Sequence, residues 1–189
     1  MRQKAITLLF IGLLFAGCAN QERERLNEQM QRVLSAIEKI GFAGIRSTIV
    51  NQGRGRVHDR IEIYLGTNPD VNDESLKHLD GLTGVVGIDL SESPVTNEGL
   101  KVLTTLPQLE YVQLCGTAIT DDGLKILANC PELRRLDIRQ TTTTAKASDI
   151  LKKFPKLEVV YAKGTALEAS ELANVKDDLR PYFLPKDLR

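Results

Sequence analysis

The sequence predicts an α/β fold: a short solenoid with parallel strands on one face and helices on the other, closed at its N-terminal end by a helix and strand cap. Three observations predict it. The chain repeats itself, since "VTNEGL" at 95–100 returns as "ITDDGL" at 119–124, 24 residues later. A fixed period of that size marks stacked supersecondary units. Each unit opens on the same apolar spacing, as in Leu109, Val112 and Leu114, then Leu133, Leu136 and Ile138, then Leu157, Val160 and Ala162. An amphipathic segment and two alternating segments precede the units, where a stacked array needs a cap.

Residues 1–17 read as a secretory signal, with Arg2 and Lys4 first, an uncharged apolar run from Ala5, and small Ala16 and Gly17 before Cys18. The run is 13 residues long, short of the roughly 20 that span a bilayer. The stretch "FAGC" at 15–18 resembles the bacterial lipobox, with Phe15 where Leu is commonest. The resemblance implies cleavage before Cys18, lipid on its thiol, and membrane attachment through the acyl chains. Each buried CH₂ contributes about 0.8 kcal/mol to such an anchor. Ala19, rather than Asp, follows the cysteine. By the same resemblance this implies the outer membrane of the bacterial cell envelope, facing the periplasm.

Residues 18–60 form the cap. Leu26, Met30, Val33, Leu34, Ile37 and Ile40 recur at helical spacing between charges, and Gly41 and Gly44 stop the pattern. The spacing predicts one amphipathic helix over 21–40 that covers the open end of the core. "IRSTIV" at 45–50 and "VHDRIEIYL" at 57–65 alternate like strands. The turn "NQGRGR" between them carries Arg54 and Arg56 and lacks the third glycine of a dinucleotide loop.

Residues 61–167 hold the units, in steps that begin at Leu82, Leu106, Cys130 and Phe154, with an earlier unit one residue longer near its turn. After each strand, Ser93, Thr117, Thr141 or Thr165 marks the bend. Asn72, Thr96, Thr120 or Thr144 then caps a helix start, and acids fill the first helical turn in three of the four units. Pro107, Pro131 and Pro155 restart the next strand. One unit cannot bury its apolar side alone; stacked units share a continuous core. The third helix departs, with Ala147 where the others carry Gly99 and Gly123. Residues 168–189 read as a C-terminal cap, with a helix over about 170–180 ended by Pro181 and Pro185.

These units resemble the leucine-rich repeat family, in its ribonuclease-inhibitor-like, cysteine-containing subtype with "LxxLxLxxTxITDxGLxxL" repeats. The resemblance covers roughly residues 61–167. It implies a non-enzymatic recognition scaffold that binds a protein partner on its strand face.

Composition narrows the alternatives. The chain carries 25 basic and 25 acidic side chains, no Trp, and few aromatics. Without the signal it keeps 23 basic against 25 acidic side chains, a net charge of −2. Neither a basic field nor a stacking platform for nucleic acid is present. No CxxC or Cys/His cluster supports a metal, and no cofactor is implied. Asp70, Asn72 and Glu74 lack the glycine and final glutamate of a calcium loop and read as helix-start residues. His58 beside Asp59 is half of a hydrolase triad with no nucleophile, and His78 sits on an exposed helix. Cys130 aligns with Leu82, Leu106 and Phe154 and reads as core. Cys115 falls past Leu114 and points outward, in a different layer from Cys130, which argues against a disulfide between them.

Residues flanking the inward strand positions must point out. Stacking places them in three columns: Gly87, Tyr111, Arg135, Val159; Asp89, Gln113, Asp137, Tyr161; and Ser91, Cys115, Arg139, Lys163. Glu62 and Tyr64 extend them. Tyr and Arg are enriched where interfaces are tight. The candidate partner-binding residues are therefore Tyr111, Gln113, Arg135, Asp137, Arg139, Tyr161 and Lys163. The reading is a membrane-anchored, non-enzymatic protein-binding module. The alternatives are an envelope spacer or assembly subunit and, further off, a hydrolase.

Overall fold

The computed structural model describes residues 20–41, 44–51 and 57–167. The signal segment, Cys18, the hairpin tip with Arg54 and Arg56, the C-terminal segment 168–189 and the side chains of His58 and Asp59 lie outside the described residues.

The molecule is α/β. Helix α1 spans Asn20–Ile40. Strands β1 (Gly44–Asn51) and β2 (Val57–Tyr64) form an antiparallel hairpin, as the alternation at 45–50 and 57–65 predicts. Four parallel strands follow: β3 (Val85–Asp89), β4 (Tyr111–Gln113), β5 (Arg135–Asp137) and β6 (Val159–Tyr161). All six make one sheet in the order β1-β2-β3-β4-β5-β6. Each crossover carries a short helical piece: α2 (Asp73–Leu76) with a 3₁₀ turn, a 3₁₀ helix at Gly99–Thr105, α3 (Asp121–Leu127) and α4 (Ala147–Leu151).

The 24-residue period appears directly as pairing. Gly87 pairs with Tyr111, Tyr111 with Arg135 and Arg135 with Val159. The step from β2 to β3 differs. Ile61 pairs with Val85 but Glu62 pairs with Gly87. Val86 is therefore an extra residue in β3. This bulge offsets the longer turn that the sequence shows in the first unit.

The inward strand residues and the helices build a single core. Ile63, Ile88, Val112, Leu136 and Val160 are buried from the sheet side, and Leu76, Leu100, Leu124 and Leu151 from the helical side. Leu82, Leu106, Cys130 and Phe154 all lie in it, as their alignment predicts. α1 contributes Val33, Ala36, Ile37 and Ile40, with Met30 packed alongside; Leu26 and Leu34 stay half-buried. Its buried C-terminal half closes the first unit, and the Gln29 side chain donates to the carbonyl of Thr83 at 2.8 Å. The turns repeat as well. Ser93, Thr117, Thr141 and Thr165 each donate a hydroxyl to the carbonyl three residues back, at 2.6–2.7 Å. Such bonds satisfy carbonyls that would otherwise be buried without a partner.

Candidate partner-binding face

The sheet face opposite the core carries the three predicted columns. The backbone brings Tyr111 beside Arg135, and Gln113 between Asp89 and Asp137. Tyr111, Gln113, Arg135, Arg139 and Tyr161 are half-buried, and Lys163 is exposed. Asp137 differs, being only 4 % exposed. Its carboxylate accepts from the backbone N–H of Arg139 at 3.0 Å and from the guanidinium Nε and Nη2 at 2.9 and 2.6 Å. The aspartate therefore holds Arg139 in place and offers a partner little surface. Arg139 in turn sits 5.9 Å from the centre of the Tyr161 ring, a cation–π distance.

Tyr111 is also held from within. A Cβ at Gly87 would lie 2.1 Å from its ring, so the ring rests on the glycine backbone. Its hydroxyl donates to Glu62 Oε1, and the Tyr64 hydroxyl donates to Glu62 Oε2 at 2.6 Å. Burial, then the bond to Glu62, push the Tyr111 phenol well above its ordinary range. Sequence spacing finds Gly87 and Tyr111 in one column. It does not reveal that the missing side chain makes room for the ring.

Along the strand starts runs a charged row that sequence reasoning missed. Arg60 donates through Nη1 and Nη2 to Glu110 Oε1 and Oε2, both at 2.7 Å. Arg134 pairs with Glu158. The bond from Arg60 holds the Glu110 carboxyl below the usual carboxylate range, against the opposing effect of burial. The signal was available, because positions 110, 134 and 158 repeat every 24 residues.

Among the described residues, Cys115 and Cys130 are both free. Cys130 is fully buried and its thiol is pushed up to about 12 by burial. Cys115 is half-buried, and burial followed by the charge of Asp137 raises its thiol too. Neither favours the reactive thiolate. His78 is exposed on the 3₁₀ turn after α2, and Asn72 caps α2 by accepting from the N–H groups of Glu74 and Ser75. Among the described residues no three His, Cys, Asp or Glu side chains gather in a metal-holding group. A groove of about 430 Å³ lies between α1 and the turn at 80–83, lined by Arg32, Lys39, His78 and Asp80; it is separate from the strand face.

No family model matches the chain, and no curated protein matches it. A solved structure of an internalin from Listeria monocytogenes is similar at 17 % identity, over 57 % of this chain and 49 % of that one, with a TM-score of 0.28. This chain thus spans about half the length of that internalin chain. So loose a likeness adds nothing to the geometry above.

Proposed function

We propose that this protein is a lipid-anchored, non-enzymatic binding module of the bacterial cell envelope, a leucine-rich-repeat solenoid that holds a protein partner against its strand face. One observation carries the reading. The 24-residue register sets half-buried Tyr111, Arg135, Arg139 and Tyr161 in adjacent rows, and Asp137 and Gly87 fix two of them from within. Aromatic and arginine side chains that are ordered beforehand lose less freedom on docking, which is how such residues come to dominate interfaces. Residues 61–167 form the recognition domain in this reading. Residues 18–60 cap it at one end and residues 168–189 at the other, and Cys18 carries the lipid after residues 1–17 are removed. The lipobox resemblance supports the anchor and Ala19 the outer membrane.

The test is capture from envelope extract with the soluble form beginning at residue 20, beside an Arg135→Glu/Tyr161→Ala variant of equal thermal stability. A partner held by the wild type and lost by the variant is expected. A partner held equally by both removes the strand face from the account. Labelling with a palmitate analogue, abolished by Cys18→Ala, checks the anchor.

A further inference from the structure

Strand β1 forms one end of the sheet. Among the described elements it touches only β2, and α1 packs on β2 without reaching β1. The strand is eight residues long, where about five or six are usual. Its sequence is rich in strand formers, with Ile45, Thr48, Ile49 and Val50. It holds no Lys, no Pro and a single charged residue, Arg46. Open edges are ordinarily blunted by shortness, lysine or proline; this one lacks all three.

Backbone direction decides which groups lie on that edge. The N–H groups of Ile61 and Leu65 donate toward β3, to the carbonyls of Gly84 and Asp89, both at 2.8 Å. Backbone groups turn to alternate sides from one residue to the next, so Arg60, Glu62 and Tyr64 turn theirs toward β1. Thr48, Arg46 and Gly44 are their register partners. The outer edge therefore carries the N–H and C=O groups of Ile45, Ser47, Ile49 and Asn51. Half of the hairpin also lacks support on its other side. β3 pairs only within Ile61–Tyr64, so Val57–Arg60 meet β1 alone. A two-stranded ribbon is marginal in water and gains most from a further strand.

We propose that β1 pairs edge to edge with β1 of a second copy, antiparallel, about a two-fold axis through Thr48. An isologous contact sets one stretch of chain against itself, and a strand related to itself by such an axis runs antiparallel. In this register Ile45 lies opposite Asn51 and Ser47 opposite Ile49 of the other copy, so every outward backbone group of both strands is paired. Position 46 falls opposite position 50, so Arg46 meets Val50 and no like charges oppose each other. The projecting half of each hairpin comes to lie beside the half that the other copy holds through β3 and through Ile45, which packs against the core. Two six-stranded sheets become one. The proposal is independent of the strand-face reading and leaves that face open.

Sedimentation equilibrium of the full-length protein in density-matched detergent tests this. The wild type is expected to interconvert between monomer and dimer. Position 48 meets its own copy on the axis. Thr48→Lys alone and Thr48→Glu alone are therefore each expected to weaken the dimer roughly fivefold, and an equimolar mixture of the two to restore it. Ile49→Pro removes an edge N–H that β2 does not use, and it is expected to be monomeric where the wild type is dimeric. A monomer at every concentration, a dimer that none of these changes weakens, or a mixture as weak as either single variant overturns the proposal. Slow amide exchange at Ile45, Ser47 and Ile49 in a monomeric protein would give the edge to another segment of the same chain, and that also overturns it.

Discussion

Gly87 and Tyr111 show how one residue prepares another. The ring lies where a side chain at position 87 would be, with 2.1 Å left to a Cβ. Gly87→Ala must push the ring off the sheet and break its bond to Glu62. We expect a loss of about 1–3 kcal/mol, read from urea unfolding. The same variant should bring the Tyr111 phenol back toward its ordinary pKa of about 10 in a spectrophotometric titration. In the wild type the folded phenol titrates above its unfolded value. Its stabilising effect is therefore complete below about pH 10 and is lost as pH rises beyond it. An unchanged titration in Gly87→Ala would contradict the contact. At this scale the sequence was legible in part. Period and alternation place Tyr111, Gln113, Arg135, Arg139, Tyr161 and Lys163 on one face. They do not tell that Asp137 is buried under Arg139, because that follows from side-chain conformations and not from spacing.

Each unit is fastened to the next by the same polar device. The carboxylate of Asp73 accepts the N–H and hydroxyl of Thr96 at 2.8 and 2.6 Å. Asp121 does the same for Thr144, also at 2.8 and 2.6 Å. Asn97 substitutes for aspartate between them, accepting from the Thr120 N–H at 3.1 Å and donating to its hydroxyl at 2.8 Å. Close approach here explains two glycines. A Cβ at Gly99 would lie 2.4 Å from Asp73 Oδ1, and one at Gly123 2.5 Å from Asn97 Oδ1. Ala147 occupies the matching position in the unit that begins at Cys130, with the Asp121–Thr144 bonds intact; nothing in the structure explains why it fits. Asn97→Ala should cost about 1–3 kcal/mol, since it strands the Thr120 groups at a part-buried site. Thermal melts would measure this, and a change within error would show the ladder to be incidental. The helix starts were legible because Asn72, Thr96, Thr120 and Thr144 follow capping chemistry. The 3₁₀ form of Gly99–Thr105 and the bulge at Val86 were not. Both depend on how one unit settles on its neighbour.

Over the whole molecule, the sheet order repeats the chain order, so each unit meets the one before and the one after. That is why a single period, read from "VTNEGL" and "ITDDGL", was enough to anticipate parallel strands, shared core and outward columns. The outward columns, read as the candidate partner-binding face, followed from the same period, because the pairing sets residues 24 positions apart side by side. The most direct measurement of the central claim is site-specific photo-crosslinking in intact cells expressing the full-length protein. A photoreactive residue would replace Gln113 or Lys163 on the strand face, or Lys101 or Lys125 on the helical side. The account predicts one discrete partner adduct from Gln113 and Lys163 and none from Lys101 or Lys125. An adduct from the helical positions alone would contradict it.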